Sequence, residues 1–324
     1  MKKQPLTAGR LLERMRDTLE LTAVPGTGSL DRAITSPNIS SPGLVLSGYT
    51  ERFPGHRMQV FGETEVAYLA TREPGERTRV LRLFFSHAIP CVFLTKGQQP
   101  PDGLVDEACT AGVPVFISGL KTNEFFTRIK PWIEDEFSPT TTIHGSLADV
   151  FGVGLLFMGR SGIGKSECVL DLVERGHRLV ADDLVFAKRR GNDVLIGSGH
   201  EMQRHCMEVR GIGVVDVPAI FGVRAVRRQK RIEVVVQLEE WHENRTVDRT
   251  GLDGETTTIL EVDLPTTTVL LNPGKNITVV AEVIAMNHLL KYSGFDPAEQ
   301  FNQRLIGRMR AAADVNRYLE QDDE

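Results

Sequence analysis

The sequence predicts an α/β protein of two domains: a small N-terminal α/β domain and a C-terminal domain built around a phosphate loop. The first observation behind this is the run Gly159, Arg160, Ser161, Gly162, Ile163, Gly164, Lys165 and Ser166, which fits G-x-x-x-x-G-K-[ST] at every fixed position. An apolar run of strand length, 150–158, precedes it, and a short helical pattern over 167–175 follows, with Gly176 placed to end it. The second is a strand–helix–strand pattern over 89–94, 103–109 and 113–117, one crossover that implies a parallel strand pair. The third is the polar, acidic, proline-bearing stretch 134–142, which has linker composition and divides the chain into domains at 1–133 and 143–324.

Composition narrows the function classes. At 324 residues the chain can bury a core in each of two domains. A net charge of −5 offers no bulk attraction to nucleic acid or to an anionic membrane surface. Cys91, Cys109, Cys168 and Cys206 are scattered without C-x-x-C pairing, which argues against a zinc site or a disulfide framework and fits a reducing compartment. No apolar run approaches the ~20 residues that span a bilayer. The N-terminus leads into a charged amphipathic segment and lacks a signal-peptide core, so a soluble, cytoplasmic protein is expected.

In chain order, 8–20 places Leu11, Leu12, Met15 and Leu19 on one stripe and predicts an amphipathic helix. Short stretches at 44–46, 58–61 and 66–69 read as strand-like or mixed segments, and His56 and His87 as structural histidines. At the phosphate loop, glycines let backbone N–H groups approach phosphates closely, Lys165 can reach the β- and γ-phosphates, and the Ser166 hydroxyl can ligate magnesium. A helix from Lys165 to Arg175 carries the chain ~16 Å from the phosphates. Residues 177–181, extended at ~3.3 Å each, bring it back about as far. Asp182 and Asp183 should therefore arrive level with the loop, where one carboxylate can serve the metal shell and the other accept a proton. A solvated Asp-Asp turn is the plainer alternative.

Further along, Gly211 and Gly213 do not complete a dinucleotide fingerprint. Glu208, in an otherwise apolar strand, is either a metal ligand or a partly exposed glutamate. The basic run Arg224, Arg227, Arg228, Lys230 and Arg231 reads as a solvated turn into a strand, with docking of an acidic protein as the second reading. Residues 241–257 form a polar, glycine-punctuated loop carrying Arg245 and Arg249. Residues 271–276 read as a turn between two strands. Two helices close the chain, over 282–290 and 297–318, the latter with Phe301, Leu305, Ile306 and Met309 as its apolar side.

Together these residues resemble the bacterial HPr kinase/phosphorylase (HPr serine kinase) family. The marks are His144-Gly145-Ser146, the loop followed by Glu167, Ala181-Asp182-Asp183, Glu208-Val209-Arg210-Gly211-Ile212-Gly213, Asp248-Arg249-Thr250-Gly251-Leu252, Pro273-Gly274-Lys275-Asn276 and 282–287. In the first domain 42–44 and 59–65 also match. The resemblance implies a C-terminal kinase domain of phosphoenolpyruvate carboxykinase-like fold. It implies transfer from ATP with Mg2+, or from pyrophosphate, to a serine of the phosphocarrier protein HPr. It also implies attack of inorganic phosphate on that phosphoserine to yield pyrophosphate, within control of carbon metabolism through the phosphotransferase system. By similarity, Gly159 to Ser166 cradle the nucleotide, Ser166 and Glu208 hold magnesium, Asp183 is the acid/base and Asp182 supports the metal and phosphate shell. His144, which alone reads equally well as core packing or as a phosphate contact, and Arg249 match the remaining catalytic positions, beside Lys165. Leu270, Leu271, Asn272, Pro273, Gly274 and Lys275 match a segment tied to dephosphorylation. A homohexamer is implied, with no nucleic-acid or membrane partner.

Asn272 and Lys275 stand where the family turn often carries arginine, and an amide in place of a guanidinium fork at Asn272 weakens the expected hold on inorganic phosphate. Two rival readings remain at this point: a small-molecule phosphotransferase with a phosphate loop, and a non-catalytic ATP-sensing regulator.

Overall fold

Thr7 accepts a hydrogen bond from the Arg10 backbone N–H and so starts α1 (Ala8–Leu19), whose Leu11, Leu12, Met15 and Leu19 are buried as the sequence stripe predicts. The computed structural model describes residues 5–200, 205–209, 211–241, 254–272 and 275–320, with 311–320 as helix backbone only. The chain divides into two units between Ser138 and Pro139.

The first unit continues with β1 (Leu21–Ala23), β2 (Ile39–Ser40), α2 (Gly43–Leu46), β3 (Met58–Phe61), α3 (Glu63–Ala70) and α4 (Pro74–Phe85). It ends with β4 (Val92–Leu94), α5 (Leu104–Thr110), β5 (Val115–Ser118) and α6 (Thr122–Phe137). The sheet runs β1-β5-β4-β3-β2, parallel except for β1, and α5 makes the expected crossover between parallel β4 and β5. Successive strand residues face opposite layers. Phe93 and Phe116 pack with α1 and α6, whereas Val92, Leu94 and Val115 pack with α2 to α5.

Two strand-like readings are corrected here. Residues 44–46 lie in α2, and 66–69 lie in α3, where the Glu65 side chain accepts the Gly62 backbone N–H at 2.9 Å. Acidic residues in the first turn favour a helix start, and that outweighs the strand leaning of Val66 and Tyr68. His87 is structural, with Nδ1 at 3.0 Å from the Leu83 carbonyl and its ring edge-on to Phe53.

The stretch 134–142 is not a free linker. Residues 134–137 complete α6, the Ser138 hydroxyl donates back to the Glu134 carbonyl at 2.7 Å, and Pro139 cannot extend the helix. The β-branched threonines that follow belong to β6 (Thr140–His144).

The second unit continues with β7 (Ser146–Val150), β8 (Val153–Met158), α7 (Lys165–Glu174), β9 (Arg178–Ala181), β10 (Leu184–Arg190) and β11 (Val194–Ser198). Next come β12 (Cys206–Val209), β13 (Gly213–Asp216), α8 (Val217–Phe221), β14 (Gln229–Arg231) and β15 (Val234–Glu240). The last elements are β16 (Thr256–Ile259), β17 (Val262–Leu271), α9 (Ile277–Tyr292) and α10 (Pro297–Glu320). A six-stranded sheet has the order β16-β17-β15-β8-β7-β9, with β8, β15 and β17 mutually parallel. A four-stranded antiparallel sheet, β14-β11-β10-β6, packs on one face through Leu147, Leu156, Val180 and Val235 against Val185, Ala187 and Leu195. On the other face, Val153, Leu155 and Phe157 meet Cys168, Val169, Leu172 and Val173 of α7 and Ala281 and Ala285 of α9. Each such Leu or Phe contributes about 1.5–3 kcal/mol on burial, so the loop strand and loop helix are firmly mounted.

Residues 271–276 connect a strand to a helix, not two strands. The run Ile277 to Val280 has strand composition, but the Asn276 side chain accepts the Val279 N–H at 3.1 Å and caps α9. The helices predicted over 282–290 and 297–318 lie within α9 and α10.

Candidate active site

Strand β8 delivers the chain into the glycine loop, and α7 leaves it. Gly159 has φ +145°, and a Cβ there would meet the Leu238 carbonyl of β15 at 2.6 Å, so no larger residue fits. Gly164 has φ +103° and forms the N-cap of α7. The Lys165 ammonium donates to the Gly159 and Arg160 carbonyls at 3.0 and 2.8 Å. Arg160 pairs with Glu240 at the end of β15, at 3.1 Å.

The aspartates follow β9. Ser166 Oγ donates to Asp182 Oδ1 at 2.9 Å, and Ser146 Oγ donates to the same oxygen at 2.5 Å. The returning strand thus brings Asp182 level with the first turn of α7, where the count of residues out and back placed it. Burial raises the Asp182 pKa above the ordinary carboxylate value, and hydrogen bonds from Ser146, Ser166 and the Asp183 backbone pull it partway back. Asp183 is exposed, holds a left-handed backbone at φ +63°, and accepts the Gly145 N–H through its carbonyl at 3.0 Å. A non-glycine residue held there is strained by roughly 1–3 kcal/mol, a form of strain that clusters at functional sites. His144 lies opposite Leu184 in the β6–β10 ladder and is exposed. The two short sequences 144–146 and 182–184 therefore run antiparallel beside the loop.

Since β8, β15 and β17 are parallel, their carboxyl ends share one sheet edge, the usual ligand edge of an α/β sheet. Leu270, Leu271 and Asn272 emerge at that edge, and Lys275 turns back to donate to the Leu270 carbonyl at 2.8 Å. Pro273, Gly274 and Arg249 lie outside the described residues, as does Arg245. Glu208 sits on the β12–β13 hairpin, which meets the α7 core through Met207. Glu208 itself, alternating with Met207, is exposed. The Ser166 hydroxyl and the Asp182 carboxylate are hard oxygen donors, the kind magnesium takes together with phosphate oxygens and water.

Ser146 is the residue that sequence reasoning passed over as a site member. It appeared only inside a matching triplet. A serine opening the apolar run Ser146-Leu147-Ala148 was the available signal, and its burial shows only in the structure.

A glycine loop between a parallel strand and a helix, with a carboxylate on the loop serine, defines a nucleotide-binding protein of the phosphate-loop class. The family models named HPr Serine kinase N terminus and HPr Serine kinase C-terminal domain match residues 6–133 and 135–305. The HPr kinase/phosphorylase of Chloroherpeton thalassium is 42% identical over 98% of this chain and 94% of its own length. That of Geobacter sulfurreducens is 42% identical over 92% of this chain and 94% of its own. A solved structure, the Hpr(Ser) kinase/phosphatase from Coxiella burnetii, aligns with 50% of this chain and 98% of its own at 33% identity and a TM-score of 0.45. The chain belongs to the HPr kinase/phosphorylase family and is an enzyme of the kinase/phosphorylase class. Among the described residues no helix is long and apolar enough to cross a membrane.

Proposed function

We propose that this enzyme uses Mg2+ and ATP, or pyrophosphate, to phosphorylate a serine of HPr, and that inorganic phosphate reverses the reaction with release of pyrophosphate. The observation that carries this reading is the Asp182 bridge to the loop serine, which brings the Asp182-Asp183 pair to the phosphate end of α7. The loop amides and Lys165 hold the phosphates, with Arg160, Ser161, Gly162 and Ile163 completing the cradle. Ser166 and Asp182 and, by resemblance, Glu208 would hold magnesium, which would supply neutralisation of phosphate charge.

Asp183, exposed at the mouth, takes the proton of the acceptor serine as the new O–P bond forms. The bond from Pγ to the bridging oxygen breaks, and ADP leaves with its electron pair. In reverse, an oxygen of inorganic phosphate attacks the phosphoserine phosphorus. Protonated Asp183 then returns its proton to the departing serine oxygen, and pyrophosphate forms. His144 contacts the transferring phosphoryl group, and Arg249 stabilises its equatorial oxygens. The segment from Leu270 to Lys275 serves the reverse reaction, with Asn272 and Lys275 replacing a stronger guanidinium hold. A cytoplasmic homohexamer belongs to the same reading.

Incubation with magnesium, labelled ATP and purified HPr is expected to label an HPr serine, and phospho-HPr with inorganic phosphate is expected to yield pyrophosphate. ATP hydrolysis without acceptor labelling would instead favour an ATP-sensing regulator.

A further inference from the structure

In the six-stranded sheet the loop strand β8 and the aspartate strand β9 are not neighbours, because β7 lies between them. Strands in a sheet stand ~4.8 Å apart, so the loop and the aspartate leave from positions about 10 Å apart. Asp182 must reach over the intervening strand to meet Ser166. The residue beneath that reach is Ser146, the first residue of β7, fully buried and opposite Phe157, two residues before Gly159. Its neighbour Gly145 is also constrained, since a Cβ there would stand 2.5 Å from the Phe157 carbonyl.

From this geometry we infer that Ser146 is a positioning residue, which holds the Asp182 carboxylate over β7 so that Asp182 and Ser166 present oxygens together to the metal of a bound magnesium nucleotide. The inference rests on the reading of Asp182 and Ser166 as the metal side of the site. Both hydroxyls converge on Oδ1, at 2.5 Å from Ser146 and 2.9 Å from Ser166. The Ser146 bond does not depend on Ser166, so the carboxylate stays in place when the Ser166 hydroxyl turns to the metal. A side chain at 146 without a donor would leave the Asp182 carboxylate held by the Asp183 backbone and by the one hydroxyl that must share itself with magnesium. Partners that orient metal ligands in this way typically govern 10–100-fold of metal affinity.

The test uses the full-length protein, a fluorescent ADP analogue and a magnesium titration, a binding readout independent of catalysis. Wild type should bind the nucleotide with a defined magnesium midpoint. Ser146→Ala should bind metal-free nucleotide as wild type does but need roughly 10–100-fold more magnesium to reach the same tightening. Ser146→Thr, which keeps the hydroxyl, should recover most of the shift. In HPr phosphorylation at saturating magnesium, kcat of Ser146→Ala should return toward the wild-type value, which a merely structural lesion would not allow. Should Ser146→Ala fail to fold, Ser146→Cys keeps the volume with a weak donor and should show an intermediate midpoint. An unchanged midpoint in a folded Ala or Cys variant overturns the role of Ser146. Wild-type binding that ignores magnesium instead overturns the metal reading of Asp182 and Ser166, and the role of Ser146 with it.

Discussion

Asp182 and Asp183 are adjacent in sequence and unlike in surroundings. Asp182 is half-buried and tied to two hydroxyls, whereas Asp183 is exposed. Asp183→Asn should bind magnesium nucleotide normally and lose transfer by about 10²–10⁴-fold, checked by equilibrium binding and HPr labelling. If transfer survives, the proton acceptor lies elsewhere. Asp182→Asn should weaken magnesium-dependent binding yet stabilise the fold at neutral pH. Burial raises the Asp182 pKa in the folded state, so the native protein binds more protons than the unfolded chain from about pH 3.8 upward. Stability therefore falls as pH rises through that window, and the Asn variant escapes the loss. Melting curves should coincide below pH 3.8 and separate above it, with the variant the more stable. A wild type that is the more stable at neutral pH would contradict the burial argument.

The elements that present the site are α7 and α9. Gly164 lies near Ile277, Asp171 accepts from Thr278 at 3.2 Å, and Glu282 receives both Arg175 and His177. Those pairings run in the same order along both helices, so α7 and α9 are parallel and both begin at the phosphate edge. Hydrogen bonds from Arg175 hold the Glu282 pKa below its ordinary value, with His177 adding to the effect. A lowered carboxylate pKa gives stability that is present above about pH 4.5 and lost as pH falls through the folded value. Glu282→Gln should accordingly melt below wild type at neutral pH, with the gap closing in acid. A gap that persists unchanged at pH 3 would mean that packing, not charge, is what the substitution removes.

For the whole molecule, the second unit carries two cores drawn only from its own residues. A chain of residues 139–324 should therefore unfold in one cooperative transition and keep magnesium-dependent nucleotide binding. Calorimetry and nucleotide titration check both. A fragment that binds nucleotide but shows no cooperative melt would mean that the first unit supplies part of its stability.

Local rules made much of this protein legible. The loop motif, its flanking strand and helix, the α5 crossover and the buried stripe of α1 follow from glycine geometry and from side-chain periodicity, which act within a few residues. The return of Asp182 to the loop was legible too, because strand and helix rises are constants. Misread segments were those where short-range signals conflict: Val66 and Tyr68 inside a capped helix, Ile277 to Val280 after an Asn cap, and an acidic helix end resembling a linker. Sheet order was beyond the sequence, since which strands become neighbours depends on how distant apolar faces pack. That order alone put β7 between the loop and the aspartate, and so gave Ser146 something to hold.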